Sequence, residues 1–295
     1  MAKVVAGVLD RIPSRVLNTA LRALPEARRA DLDLRRARLQ FEAFMKERLG
    51  PFYVPVEPGP MAPTDIVMRT AVLFDSDAER QLQTARYFAS GYGQIHGWVR
   101  MAEKYGFNLR TARATLELGV GSARLIRHLR CVESLELHGT DVDADSIEWC
   151  KANIDGIDFH VNALDPPLAF ADENQFDLAF ANSVFTHIPL ETQQAWIAEL
   201  YRVMRPGGIF ICTVLGRMYQ QKMLTSAQRD ELQQVGHFQL DSNSEQASVS
   251  TQIIGSWEVF QTRRENIDCF GAQFEVCDFM PRPNGQDVLL LRKPR

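Results

Sequence analysis

The chain has 295 residues, of which 45% are apolar and 24% are charged, and its formal net charge is -4 at pH 7. This composition is typical of a globular protein, and the negative charge argues against non-specific nucleic-acid binding as its main role. No apolar run approaches the roughly 18 residues of a membrane span, and the run before Asp10 is too short for a signal-peptide core, so we expect a cytoplasmic protein.

The cysteines do not form a recognisable framework. Their number is odd and no pair has CxxC spacing, which indicates neither a set of disulfides nor a zinc site. We expect five reduced thiols. They are Cys131, Cys150, Cys212, Cys269 and Cys277.

The first third of the chain predicts a helical extension. Residues 3–24 alternate apolar and basic positions at helical spacing, which favours a helix packed on its own domain or on a second copy, and leaves open contact with a membrane surface. Residues 25–48 predict a second, highly charged helix. Five prolines between 51 and 63 exclude a helix or an inner strand there. We therefore divide the chain into an extension (1–50), a linker or arm (51–76) and a main domain (77–295).

The main domain begins with a predicted helix over 77–105 and then changes pattern at residue 114. Short apolar runs alternate with helical stretches, which indicates the βαβ order of a parallel sheet covered on both faces. Predicted helices begin near residues 122, 144 and 191, and another is predicted from Trp257 to Cys269. Two closing strands follow, separated by a turn short enough to make them antiparallel.

Two glycines, Gly119 and Gly121, follow the first of these strands in Glu-Leu-Gly-Val-Gly-Ser-Ala. Glycine in the first turn of such a sheet lets a ligand approach the backbone. A nicotinamide dinucleotide site would need a third glycine where the chain has Arg124. Asp141 stands at the distance of a ribose-binding acid, which many adenosine ligands share. The glycine pair alone also fits a turn with a purely structural role.

Further stretches sharpen this interpretation. They are Glu117 to Ala123, Gly139-Thr-Asp141, Val161-Asn-Ala163, Phe176 to Ser183, and Leu200 to Gly208 with its Pro-Gly-Gly turn. Together they resemble the motifs of class I S-adenosylmethionine (SAM)-dependent methyltransferases, over residues 112–293. The resemblance implies a doubly wound α/β fold with a seven-stranded, mostly parallel sheet whose last strand is antiparallel. It also implies SAM as the cofactor.

The resemblance assigns the cofactor-binding residues. A carboxylate suits the two ribose hydroxyls, which points to Asp141, with Asp143 in reserve. Val142, Asn162 and Ala163 suit the adenine. The turn with Gly119 and Gly121, together with Glu117, suits the methionine end, and Asn182 and Ser183 follow the fourth strand at the same edge. Ala123 replaces the third glycine of the family motif, so binding is expected to require that Ala123 avoids a positive φ angle.

The catalytic and acceptor assignments are less specific. His187 follows the fourth strand and is the first candidate for a general base, with His96 as the second, although either histidine also suits a structural role. We expect no metal. The extension and an insertion near 216–256, interpreted as a lid, are expected to build the acceptor site. A hydroxyl of a sugar, lipid or secondary metabolite is the expected acceptor.

Two other functions remain open from the sequence. One is a non-catalytic protein that binds SAM or a nucleotide, and the other is an NAD-dependent oxidoreductase. A homodimer is a further option that the sequence neither requires nor excludes.

Overall fold

The computed structural model describes residues 24–63, 77–241, 243 and 257–295. Residues 3–23 of the predicted basic helix lie outside these ranges. Residues 64–76, the second half of the predicted linker, also lie outside them. Within the described ranges, no helix is both long enough and apolar enough to cross a bilayer. All five cysteines are free thiols.

Two long helices precede the sheet. Helix α1 spans Glu26–Leu49, as predicted, and helix α2 spans Asp77–Lys104. The apolar face of α1 packs on α2, with the rings of Phe41 and Tyr92 centred 5.3 Å apart. The N-terminal helix is therefore part of the same core as the main domain.

A seven-stranded sheet forms the centre of the molecule. Its strands are β1 (Ala114–Leu118), β2 (Glu136–Asp141), β3 (Asp158–Val161), β4 (Phe176–Ala181), β5 (Met204–Val214), β8 (Glu275–Met280) and β9 (Asp287–Arg292). They are arranged in the order β3-β2-β1-β4-β5-β9-β8. Strands β1 to β5 are parallel, and β9 runs antiparallel between β5 and β8. The predicted doubly wound sheet with an antiparallel last strand is confirmed.

The sheet is buried on both faces because its strands are apolar at successive positions. In β4, Leu178 and Phe180 belong to the core beneath α1 and α2. Ala179 and Ala181 belong to the core on the opposite face. This is the pattern expected of parallel strands covered by helices on each side.

Five further α-helices lie within the described ranges. They are α3 (Ala144–Asn153), α4 (Leu190–Val203), α5 (Arg217–Met223), α6 (Ser226–Val235) and α7 (Arg263–Gly271). The predicted α-helix from residue 122 is wrong, because residues 121–125 form turns and a 3-10 helix spans only Ile126–Cys131. The carboxylate of Glu117 accepts the N–H of Ile126, which fixes the start of the 3-10 helix at that residue.

The prediction of a continuous helix from Trp257 to Cys269 is also wrong. Residues Trp257–Gln261 form strand β7, which pairs with β6 (His237–Asp241) in a separate two-stranded sheet. Thr262 then caps α7, since its side chain accepts the N–H of Glu265. The insertion after β5 thus contains α5, α6 and β6, and its apolar residues pack around Phe260.

The proline-rich arm lies along the 3-10 helix. Tyr53 forms a β-bridge with Val132, and the N–H of Val54 donates to the carbonyl of Cys131 at 3.0 Å. Farther along, the guanidinium of Arg130 donates to the carbonyl of Glu57. The described part of the arm is therefore fastened next to the turn that follows β1.

Candidate functional site

The strand order reverses between β1 and β4. In open α/β sheets, ligands bind in the crevice beyond the carboxyl ends of the strands at such a point. The turn from Gly119 to Leu125 leaves β1 there, and Asn182 and Ser183 leave β4 beside it. The topology thus brings the predicted residues of the glycine turn next to the predicted site residues that follow β4.

The glycine turn is held tightly against β2. The N–H groups of Gly119 and Val120 both donate to the carbonyl of Thr140, at 2.8 and 2.9 Å. Gly119 has a φ of +71°, and a Cβ atom on it would lie 2.3 Å from Cγ2 of Val184. Both the backbone conformation and the space require glycine at this position.

Ala123 departs from the sequence-based expectation. Its φ is +57°, in the left-handed region, and its side chain is fully buried. Ser183, across the crevice, also has a positive φ of +58°. Such conformations cost roughly 1 to 3 kcal/mol in a residue with a side chain, and they concentrate at functional sites. The expectation that Ala123 avoids a positive φ is wrong, and the turn keeps the backbone shape that the family's glycine would give.

Asp141 joins the second strand to this turn. One carboxylate oxygen accepts the N–H of Gly121 at 2.7 Å, and the other accepts the N–H of Asp143 at 3.0 Å. Burial raises the pKa of Asp141, and these two N–H groups oppose the rise. Each oxygen keeps a second lone pair, so the carboxylate can accept two more hydrogen bonds, as a ribose diol requires.

Exposed apolar side chains follow β2 and β3. Val142, just after β2, is 49% exposed, and Leu164, in the loop after β3, is 78% exposed. In the same loop, Asn162 accepts the hydroxyl of Thr140 at 2.8 Å and donates to the carbonyl of Ala163 at 2.7 Å. Exposed aliphatic side chains and a polar edge at the ends of neighbouring strands are the groups that suit a flat heteroaromatic ring. Asn162 also organises the loop after β3.

Glu117 lies beneath the turn, fully buried. Burial raises its pKa to about 8, against the opposing hydrogen bond from the N–H of Ile126. The carboxyl group is therefore mostly protonated near neutral pH. Its position supports the turn from below.

Helix α2 covers the turn from the other side. The hydroxyl of Tyr87 donates to the carbonyl of Ser122 at 3.0 Å, and the guanidinium of Arg124 donates to Ser90 and to Oε1 of Gln94 at 3.2 and 3.0 Å. A methyl group on Gly91 would lie 2.5 Å from the carbonyl oxygen of Arg124. The helix and the turn are in direct contact.

Buried Arg127 links the turn to the proline-rich arm. Its guanidinium donates to the carbonyls of Ser122 and Ala123 in the turn, and to those of Pro58 and Pro60 in the arm. A planar fork of donors can serve several carbonyls at once, which a lysine cannot reproduce. One side chain therefore sets the positions of both segments.

A cavity of about 660 Å³ opens next to the crevice. Helix α2, the ends of β4 and β5, the insertion and the loop between β8 and β9 form its walls. Its lining residues are Ser90, Gly93, Gln94, Asn182, Ser183, Thr213, Tyr219, Arg282, Pro283, Asn284, Gly285, Gln286 and Val288. This is the volume of a pocket for a small molecule.

His187 lies beyond this lining, between the loop after β4 and the hairpin of β6 and β7. Its Nδ1 is 2.8 Å from the carbonyl oxygen of Trp257. A carbonyl only accepts, so Nδ1 carries the proton and the lone pair of the neutral ring resides on Nε2. The structure thus gives His187 a defined tautomer and a structural contact.

His96 is directed away from the cavity. Its ring packs on Phe44 of α1, with centroids 4.5 Å apart, and burial lowers its pKa. Gly93 and Gln94, on a different side of the same helix, line the cavity instead. The geometry brings Asn182 and Ser183 to the cavity but does not bring His96 there.

Comparison with known proteins agrees with this geometry. Residues 116–212 match the family model described as a methyltransferase domain. These residues therefore form a methyltransferase domain. The match begins in β1 and ends in β5, so this domain contains the glycine turn, Asp141, Asn162 and the end of β4. The match supports the predicted family and, with it, SAM as the cofactor.

Solved structures share the fold at low sequence identity. A Pyrococcus horikoshii protein is 16% identical, with a TM-score of 0.50, over 72% of this chain and 99% of its own. A Methanosarcina mazei SAM-dependent methyltransferase is 17% identical, with a TM-score of 0.48, over 66% of this chain and 97% of its own. The first of these supports the fold of the methyltransferase domain.

One curated relative, an uncharacterized protein of Haemophilus influenzae, is 26% identical over 121 residues. The matched region covers 39% of this chain and 45% of that protein. The chain thus matches less than half the length of this relative.

The residues present fit SAM. Asp141 retains acceptor capacity for the ribose hydroxyls, and Val142 and Leu164, after the neighbouring strands β2 and β3, offer the exposed apolar surface that an adenine needs. The backbone of the turn lies at the same edge. Within the described ranges, no group of three or more His, Cys, Asp or Glu residues is placed to hold a metal ion. The absence of a metal from the reaction stays a prediction.

Sequence reasoning missed one wall of the cavity. Arg282, Asn284 and Gln286 belong to the loop between β8 and β9, which the sequence marks only as a turn. Ser90 and Gln94 were likewise hidden in the middle of α2. Their importance depends on which strand edge and helix face meet at the crevice, and no local motif reports that.

Proposed function

We propose that the protein transfers the methyl group of SAM to a small-molecule acceptor, at a hydroxyl oxygen. The observation that supports this most is the joining of Gly121 to Asp141 at the switch point of the sheet, next to a cavity of about 660 Å³. A cofactor held at the turn would have its reactive end facing a second compartment.

In this proposal each part of the crevice has its own task. Asp141 binds the ribose hydroxyls, and Val142, Asn162 and Ala163 surround the adenine. Glu117 supports the turn around Gly119, Gly121 and Ala123, whose backbone holds the methionine end. Asn182 and Ser183 separate this region from the acceptor cavity.

When bound, SAM supplies a methyl group that is already activated by its sulfonium. The task of the protein is to hold the acceptor oxygen in line and to keep water out, and proximity of this kind contributes several kcal/mol to catalysis. Helix α2 and the loop between β8 and β9 form walls of the cavity, and they would shield a bound acceptor from water. The acceptor hydroxyl must also lose its proton.

His187 is the proposed base for that proton. Its Nδ1 donates to the carbonyl of Trp257, so Nε2 is the nitrogen able to accept a proton. The ring lies outside the cavity lining, so proton transfer would need a water or a small shift of the loop after β4. A role in fixing the hairpin is the alternative, and pH-dependent kinetics separate the two.

The composition of the cavity supports oxygen as the methylated atom. Among the described residues that line it, none is a carboxylate. A protonated amine would be held by a negative charge, whereas a neutral hydroxyl needs only hydrogen bonds. The amide and hydroxyl side chains on the walls can supply these.

The test is the formation of S-adenosylhomocysteine (SAH) with a panel of hydroxylated lipids and glycosides, each paired with its amine analogue. We expect product with a hydroxyl compound and none with its amine partner. Transfer to amines alone would contradict oxygen methylation. SAH binding without any transfer would favour a non-catalytic SAM-binding protein.

A further inference from the structure

We propose that the acceptor carries an anionic group, a carboxylate or a phosphate, which Arg282 and Gln286 bind at the wall of the cavity. This inference rests on the proposed function, because it specifies the acceptor of the same site. It is based on which groups donate and which accept in the hydrogen bonds around the cavity.

The side-chain oxygen of Gln286 accepts two hydrogen bonds. Thr213 accepts the N–H of Ser183 at 2.8 Å and donates its hydroxyl proton to Oε1 of Gln286 at 2.6 Å. The hydroxyl of Ser183 donates to the same oxygen at 3.0 Å. With Oε1 accepting from both hydroxyls, the NH₂ group of Gln286 is left as the end that can donate to a ligand.

The amide of Asn182 is oriented in the same sense. Arg124, which only donates, binds Oε1 of Gln94 at 3.0 Å, and Nε2 of Gln94 donates to Oδ1 of Asn182. Because the chain of donors starts at a guanidinium, neither amide can be reversed without a clash of like groups. The NH₂ group of Asn182 is therefore its remaining donor face, with only a long contact of 3.4 Å to Ser183.

Arg282 adds a positive charge to the lining, from the same loop as Gln286. Its backbone N–H donates to Oδ1 of Asp287 at 2.7 Å, which holds the loop between β8 and β9 in place. The carboxyl group of Asp287 lies where a methyl on Gly216 would contact it at 2.3 Å, so it is packed behind the loop. Arg282 is the one charged residue among the described residues that line the cavity.

The lining of the cavity thus includes two amides with NH₂ groups left to donate and the side chain of Arg282, without a carboxylate among its described residues. A ligand that offered only donors would leave these groups unpaired, which costs free energy. A carboxylate or phosphate oxygen accepts from all of them, and pairs with guanidinium in a bidentate manner. The same donors could otherwise serve the carboxylate of the cofactor's methionine tail, so the test must separate these two uses.

The experiment titrates inorganic phosphate and, separately, acetate into protein saturated with SAH, and follows the backbone amide NMR signals of Arg282, Asn284, Gly285 and Gln286. Sodium chloride at matched ionic strength controls for screening. Arg282→Gln tests the proposed site. Arg264→Gln is the matched control, because Arg264 is exposed on α7 and pairs with Asp268 away from the cavity.

We expect saturable binding in the presence of SAH, weakened about 10- to 100-fold by Arg282→Gln, as for loss of a charge-assisted hydrogen bond, and unchanged by Arg264→Gln. The anion that binds more tightly identifies the group as carboxylate or phosphate. An unchanged affinity in Arg282→Gln, no saturable shift, or displacement of the anion by SAH would each overturn the inference.

Failure of the proposed function gives a different result. Protein that does not bind SAH contradicts the function. The same titration of wild-type and Arg282→Gln protein without SAH then still shows whether Arg282 binds anions.

Discussion

The carboxylate of Asp141 accepts the N–H of Gly121 at 2.7 Å, so the end of β2 and the turn after β1 form one unit. The second carboxylate oxygen accepts the N–H of Asp143. The carboxylate that we propose to bind the ribose is thereby coupled to the backbone of the glycine turn. Changes in the turn should therefore alter cofactor affinity as well as stability.

Replacing Ala123 with glycine tests the left-handed turn. Ala123→Gly relieves a positive φ of +57°, and this offsets the roughly 0.5 to 1 kcal/mol that glycine normally costs. We expect the free energy of unfolding to stay equal or rise. The control is Ala102→Gly, which removes an equally buried methyl from helix α2 and should destabilise the protein. Equal losses in both variants would contradict the assigned conformation of Ala123.

Gly119→Ala tests the fit of the first glycine. The added methyl meets Val184 at 2.3 Å at a φ of +71°, so we expect a loss of about 1 to 3 kcal/mol in stability and much weaker SAH binding. Adding Val184→Ala should restore part of the stability, because it removes the contact but not the strain. Gly97→Ala, which meets no atom within 4 Å, is the control. Wild-type SAH affinity in Gly119→Ala would refute the turn assignment.

Glu117 should make stability depend on pH. Its pKa in the folded protein, about 8, exceeds the ordinary 4.5, so the folded state holds more protons than the unfolded chain between those values. Stability should fall as the pH rises through this window, by up to about 1.4 kcal/mol per pH unit.

Denaturant unfolding across that window checks this. Glu117→Gln should flatten the dependence, whereas Glu136→Gln, at the exposed start of β2, should leave it unchanged. An identical pH profile for wild type and Glu117→Gln would show that Glu117 is ionised in the folded state.

His187→Ala separates catalysis from structure. If His187 takes the proton, turnover should fall about 10²- to 10⁴-fold, the pH dependence of kcat should change, and the dissociation constant of SAH should be unaffected. His237→Ala, at the start of β6, is the control within the same hairpin. Full turnover with a lowered melting temperature would show that His187 is not the base and that its role is structural, through the contact with Trp257.

The sequence predicted those parts of the molecule that local chemistry determines. β1 carries the apolar residues Ala114, Leu116 and Leu118 at alternate positions, and five prolines exclude a helix over residues 51–63. The helix from residue 122 was wrong because Ala123 takes a left-handed conformation that only the contacts of the turn impose. β7 was misassigned because its pairing with β6 is a tertiary feature.

The same reasoning explains which site residues were found. Gly119 and Asp141 belong to motifs with fixed spacing along the chain. Arg282 and Gln286 have no such motif, and they reach the cavity because β9 pairs with β5 and carries its preceding loop to the crevice. Distant segments of this kind become visible only in the folded structure.

The most direct test of the account is isothermal titration of the wild-type protein and of Asp141→Asn with SAH. The control is Asp177→Asn, whose carboxylate likewise accepts two backbone N–H groups, those of Arg113 and Ala114, but at the opposite edge of the sheet. We predict that wild type and Asp177→Asn bind SAH alike and that Asp141→Asn binds about 10- to 100-fold more weakly. Absence of binding by the wild type, or equal affinity in all three proteins, would contradict the assignment of the cofactor site.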